Sequence, residues 1–205
     1  MNQDLLKAIL NSGDLYDDLQ TLQKSWEEAQ KRRHRFWAQV RDGQKVEFIN
    51  GEVITRLPDA KATHQISKRL LIALATYIDA HQLGFLGFEK MRGRFTRNDD
   101  EPNICFWLPE KADGFEDGQR VFPPPDFIIE ILSKNTENRD RGIKMEDYAR
   151  HGLGEYWIIR PFEKVVEQYL LQGNVYHLQQ KIQSGKIASQ VIKGFVMAVD
   201  KIFGA

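Results

Sequence analysis

Glu130 is the one charge inside the apolar run Phe127-Ile128-Ile129-Glu130-Ile131-Leu132. A near-continuous apolar run of that length reads as a central strand buried on both faces. A carboxylate in such a strand is costly unless it is paired or bound to a metal. Asp126 opens the same strand, and strand alternation puts Asp126, Ile128 and Glu130 on one face. Four strand residues span about 13 Å, so Asp126 and Glu130 are too far apart to share one ion. The partner of Glu130 must therefore come from another element. Lys144 is the natural cation, with Asp140 and Tyr148 four residues to either side on one helix face. Two readings stay open at this point: a structural Glu130–Lys144 salt bridge, or a catalytic acid–lysine pair.

Several elements must position these groups. A helix is expected over 139–150, with Gly152 as its stop. Val46–Ile49 and Val53-Ile54 read as strands joined by Asn50-Gly51, a strong hairpin signal. Residues 63–82 carry Ile66, Leu70, Leu71, Leu74, Tyr77 and Ile78 at helical spacing. Short strands are expected near 85–96 and 103–108, a loop over 109–122, and further strands at 155–159, 165–171 and 174–178. Residues 1–40 read as helical, with Leu15, Leu19, Leu22 and Trp26 on one face. That stripe must pack on the main domain or on a partner. The run Lys31-Arg32-Arg33-His34-Arg35 reads either as a solvated helix end or as a phosphate-contacting patch. Together these elements make an α/β (α+β) fold with a mixed sheet.

Composition narrows the function classes. Lys+Arg and Asp+Glu are both 29, so no whole-molecule basic field exists and any nucleic-acid binding must be local. Cys105 is the only cysteine, which excludes an intrachain disulfide and a Cys-based zinc site; its apolar neighbours suggest a buried thiol. Gly93 and Gly114 lack the context of a nucleotide-binding glycine loop. The acidic N-terminus has no signal-like apolar stretch, and no apolar run approaches the roughly 20 residues that span a bilayer. A cytoplasmic protein without membrane contact is expected.

The order of several segments resembles the putative restriction endonuclease family, abundant in cyanobacteria and part of the PD-(D/E)XK nuclease superfamily. Those segments are Phe48-Ile49-Asn50-Gly51-Glu52, His64, Glu101-Pro102-Asn103-Ile104, Pro124–Ser133, Asp140–Lys144 with Tyr148, and Gly152–Trp157. The similarity covers roughly residues 45–203. It implies a restriction-endonuclease-like core, a mixed central sheet flanked by helices, over residues 44–205, preceded by an N-terminal helical extension over 1–43. The implied chemistry is Mg2+- or Mn2+-dependent hydrolysis of DNA phosphodiester bonds. The metal neutralises phosphate charge and activates water, and hard oxygen donors suit magnesium.

By that resemblance Glu130 is the acidic metal ligand, the Ile131 carbonyl a further ligand, and Glu52 an upstream acid that completes the site. The superfamily lysine, two residues after the acid, is replaced here by Leu132, so the resemblance assigns that role to Lys144 on the helix. Asn103 stands where the family carries a metal-binding aspartate; an amide keeps the carbonyl oxygen but loses the charge. Asp99, Asp100 and Glu101 lie near enough in sequence to compensate. The expectation is a DNA endonuclease weakened at Asn103, with an inactive nuclease-fold binding module as the alternative. Arg92, Arg94, Lys134, Arg139 and Arg141 are the candidate DNA contacts, against a plain reading as solvated charges. A homodimer is expected by analogy with nucleases that cut two strands.

Overall fold

The computed structural model describes residues 3–41, 44–55, 60–133 and 136–204. Two helices come first, α1 (Gln3–Leu10) and α2 (Leu15–Gln39), separated at Ser12-Gly13. The hairpin β1 (Val46–Ile49) and β2 (Glu52–Thr55) follows, then α3 (Lys61–His81). Short strands β3 (Phe85–Phe88), β4 (Arg92–Arg94), β5 (Asp99–Asp100) and β6 (Ile104–Trp107) precede a helical turn, α4 (Pro109–Ala112), and β7 (Val121–Phe122). The central strand β8 (Phe127–Ile131) leads into α5 (Glu137–Arg141) and α6 (Ile143–Arg150). Then come β9 (Glu155–Arg160), β10 (Val165–Gln172), β11 (Val175–Ile182), β12 (Lys186–Ala188), β13 (Val196–Ala198) and α7 (Val199–Phe203).

The strands form two main sheets. One has the order β11-β10-β9-β8-β6-β3, with β8 and β9 parallel and the other pairs antiparallel. The other has the order β2-β1-β5-β4-β7 and is antiparallel except for β4–β7. The mixed α/β architecture expected from the sequence is therefore present.

Alternation along β8 and β6 sorts the core into two halves. Phe127, Ile129 and Ile131 with Ile104 and Phe106 pack on Ile66, Leu70, Leu74 and Ile78 of α3. On the opposite face, Ile128, Cys105 and Trp107 pack with Tyr148 of α6 and Tyr156. Each such side chain contributes about 1.5–3 kcal/mol on full burial. Glu130 shares the face of Ile128, so the alternation that builds the core also aims this carboxylate at α6.

Two turns matter for the site. Asn50 and Gly51 both have positive φ (52° and 86°), the conformation that a two-residue hairpin matching strand twist requires. The single helix expected over 139–150 is broken at Gly142. A Cβ there would lie 2.8 Å from the Asn138 carbonyl oxygen, so a side chain at 142 would force the two short helices apart. The residues 109–122, expected as loop, contain α4 and β7. Cys105 is fully buried, as its apolar neighbours implied.

Candidate active site

Four elements converge on Lys144. Its ammonium donates to Glu130 Oε1 on β8 at 2.7 Å and to Glu47 Oε1 on β1 at 2.6 Å. Asp140 Oδ1, one helical turn back, is 3.4 Å away. The Tyr148 hydroxyl, one turn forward, lies 3.4 Å from Glu130 Oε1. Arg139 approaches the other oxygen of Glu47 at 3.9 Å. Glu47, Glu130 and Asp140 are buried completely, and the Lys144 side chain is 1% exposed. The β1 hairpin thus delivers one acid, the central strand a second, and the helix started at Gly142 the cation between them.

Asp100, on β5 beside β1, completes the cluster. It is fully buried, and neither carboxylate oxygen has a hydrogen-bond partner among the described residues. Burial pushes its carboxyl well above the usual range, the Lys144 ammonium opposes that shift, and the charges of Glu47, Asp147 and Glu130 add to it. Burial likewise raises Tyr148, with the Asp100 and Glu130 charges acting the same way. Among the described residues, the carboxylates of Glu47, Asp100, Glu130 and Asp140 gather around Lys144, with Arg139 at the Glu47 side. Buried carboxylates gathered in this way are stabilised by cationic side chains, by protons or by a bound cation.

The donor set, hard carboxylate oxygens throughout, fits a divalent cation such as magnesium in its chemistry. The ammonium of Lys144 nevertheless stands between Glu47 and Glu130. Among the described residues, no three His, Cys, Asp or Glu side chains are disposed to hold a metal ion as they stand.

The sequence-derived candidates fall into three groups. Glu130 and Lys144 meet directly. Asn103 is buried beside them, but its Oδ1 accepts from the Ile131 backbone N–H at 2.9 Å, so it fastens the end of β8. Glu52 is exposed at the start of β2, paired in register with Ile49; the hairpin acid that reaches Lys144 is Glu47. His64 is exposed on α3.

Asp126 is structural, accepting from the Leu108 backbone N–H and from Lys111. Of the candidate DNA contacts, Arg94 is the most open, its side chain 53% exposed. Arg92 lies 3.8 Å over the Trp37 ring, and Arg141 is engaged by Glu137 and Glu167. Lys134 lies outside the described residues. The basic run at 31–35 is also divided: Arg33 turns inward, donating to both Asp99 oxygens and to the carbonyls of Phe95, Thr96 and Asn98.

Glu47 carried a signal that the sequence reading did not use. It is the lone charge in Val46-Glu47-Phe48-Ile49, the same pattern that singled out Glu130. Asp100 had no comparable signal, because a two-residue strand in a polar stretch has no periodicity.

A mixed α/β core that buries an acid–lysine cluster at the junction of its two sheets has the architecture of a nuclease-fold protein. The crystal structure of a putative nuclease belonging to DUF820, from Anabaena variabilis, is similar to it. The TM-score is 0.66 at 18% sequence identity, covering 78% of this chain and 89% of that one. Residues 26–200 match the Uma2 family, described as putative restriction endonuclease, and the chain belongs to that family. No curated protein matches the chain. No helix among the described residues is long and apolar enough to cross a membrane.

Proposed function

We propose that the protein is a metal-dependent DNA endonuclease in which Asp100 supplies the carboxylate that Asn103 lacks. The observation that carries this reading is Asp100 itself: a fully buried carboxylate with no hydrogen-bond partner among the described residues, beside Glu130, Lys144 and Glu47. Structural carboxylates in this fold look different. Glu155, equally buried, accepts from Trp157, Gln168, Ser189 and two backbone N–H groups. A buried acid left unsatisfied costs stability, and function is the usual reason to keep one.

In this reading Asp100 and Glu130 hold Mg2+ or Mn2+, with the Ile131 carbonyl as a further donor. When bound, the cation supplies charge neutralisation at the phosphate and acidifies a water. Lys144 then stabilises the negative charge that develops on the phosphate, a role suited to a fixed ammonium in a dry site. Glu47 holds Lys144 in place from the opposite side. Asn103 keeps the end of β8 in register.

Family membership supports nuclease chemistry and a DNA substrate; the choice of metal follows from the hard oxygen donors. A second reading, a nuclease-fold protein that binds without cutting, draws on one observation. Glu47, Asp100, Glu130, Asp140 and Lys144 are each at most 1% exposed, so a phosphate reaches them only if the junction opens.

One set of measurements separates the two. Supercoiled plasmid is incubated with Mg2+ or Mn2+ and the wild type, Glu130→Ala, Asp100→Asn or Asn103→Asp, while Mn2+ binding is followed by calorimetry. Nicking by wild type, lost on the order of 100-fold or more in Glu130→Ala and Asp100→Asn together with Mn2+ affinity, is the expected result. Nicking that Asp100→Asn leaves intact removes Asp100 from the site. DNA binding without nicking by any variant establishes the binding module, and neither binding nor nicking ends the nuclease reading.

A further inference from the structure

The face of α2 that docks on the domain does not stop where the docking stops. Arg33 and Trp37 reach Asp99, and Phe36 stacks near Phe48 at 6.0 Å. Toward the N-terminus the same stripe runs on through Ala29, Trp26, Leu22, Leu19 and Leu15. Those spacings alternate three and four, the seam of a two-stranded coiled coil. Yet Trp26, Leu22 and Leu19 are 41%, 55% and 52% exposed. Neither α1 nor the domain covers them. A helix segment this long gains most of its stability from packing its apolar face, so the exposed stretch of the seam, Leu19 to Trp26 and about 10 Å long, calls for a partner.

Charge identifies the partner. Asp14, Asp17 and Asp18 mark the N-terminal end of α2, and Lys31, Arg32 and Arg35 its C-terminal part; Asp18 and Arg32 are exposed. A helix that is acidic at one end and basic at the other is complementary to an antiparallel copy of itself. In that arrangement Leu22 packs on the partner's Trp26, and Leu19 on the partner's Ala29. Asp18 then flanks the seam opposite the partner's Arg32, and the dyad repeats each contact. A parallel pair would set acidic end against acidic end and place Asp18 beside the partner's Gln23, with no ion pair.

We propose that residues 19–29 of α2 form an antiparallel, two-fold symmetric dimer interface with a second copy of this chain. The dimer joins the two domains through helices that are each anchored to their own domain at Arg33. The contact is isologous, so it closes at two copies and does not propagate.

Sedimentation equilibrium of the full-length chain tests this directly. The wild type is expected at twice the 23.8 kDa chain mass. Trp26→Glu and Leu22→Glu, both at exposed positions, are expected to give monomers with unchanged thermal melting of the domain. Asp18→Arg and Arg32→Asp should each weaken the dimer roughly tenfold, through like charges on both sides of the dyad. The double variant D18R/R32D should restore it. A wild type that stays monomeric at high concentration overturns the proposal, as does a dimer that survives Trp26→Glu. Failure of the double swap to rescue overturns the antiparallel arrangement.

Discussion

Asp99, Asp100 and Glu101 are consecutive acids, all buried, with three different fates. Asp99 is neutralised by the Arg33 fork and by Trp37. Asp100 faces the acid–lysine cluster without a hydrogen bond from any described residue. Glu101 accepts from the Val46 backbone N–H at 3.1 Å, and its own N–H donates to Glu47. Burial pushes the Glu101 carboxyl from an ordinary 4.5 up to about 7; the Val46 hydrogen bond opposes the shift and the Glu47 charge adds to it. The sign of the consequence follows from proton binding. Between pH 4.5 and 7 the folded chain holds a proton that the unfolded chain has released, so stability falls as pH rises. Below 4.5 both states are protonated, and above 7 the full penalty applies. Wild type should therefore lose up to about 3 kcal/mol from pH 5 to pH 8 relative to Glu101→Gln. Urea midpoints at both pH values, in chelator, measure this; parallel curves would show that Glu101 titrates normally. Half of this chemistry was legible in the sequence. A lone charge in an apolar strand is visible as a pattern, which exposes Glu130 and, by the same rule, Glu47. The separate roles of three adjacent acids depend on which other elements pack against them, and adjacency in sequence carries no trace of that.

At the scale of elements, the expectations that rested on local physics match the structure. The Asn50-Gly51 turn, the central strand at 127–131 and the long helix at 61–81 are all present. Where they differ, a close backbone approach or a tertiary contact decides. The helix expected over 139–150 breaks at Gly142, where the Asn138 carbonyl leaves no room for a Cβ. The basic run at 31–35 looks uniform in sequence, but helical rotation turns only Arg33 inward. That one side chain makes five hydrogen bonds, to Asp99 and to three backbone carbonyls. Arg33→Ala leaves buried Asp99 to Trp37 and to Arg94 at 3.4 Å and strands those carbonyls, and removing one partner of a buried pair costs about 3–5 kcal/mol. Arg33→Lys keeps the charge but not the planar fork, so it should recover only part of the loss. Chemical denaturation of the three proteins gives the ranking. Equal stability of wild type and Arg33→Ala would mean that α2 is not anchored to the domain.

For the whole molecule, the question is where the cooperative unit begins. Sequence patterning draws the line near residue 43, because the helical stretch ends there and the first hairpin follows. The contacts of Arg33, Phe36 and Trp37 argue for a line inside α2. Its C-terminal part packs on β1, β5 and the β4–β5 turn of the sheet that holds Glu47 and Asp100, while its N-terminal part is largely exposed. The family match beginning at residue 26 is consistent with that division. A chain starting at residue 26 should therefore melt cooperatively, within about 1 kcal/mol of the full-length protein under conditions where both are monomeric. A chain starting at residue 44 leaves Asp99 buried without its Arg33 fork or Trp37. That loss, about 3–5 kcal/mol for the broken pair alone, is comparable to the 5–15 kcal/mol that holds an ordinary domain together. The shorter chain should be largely unfolded or degraded at 37 °C. Thermal melting by circular dichroism and limited proteolysis of both chains distinguish the boundaries. Cooperative melting of the chain starting at 44 would make all of α2 an appendage.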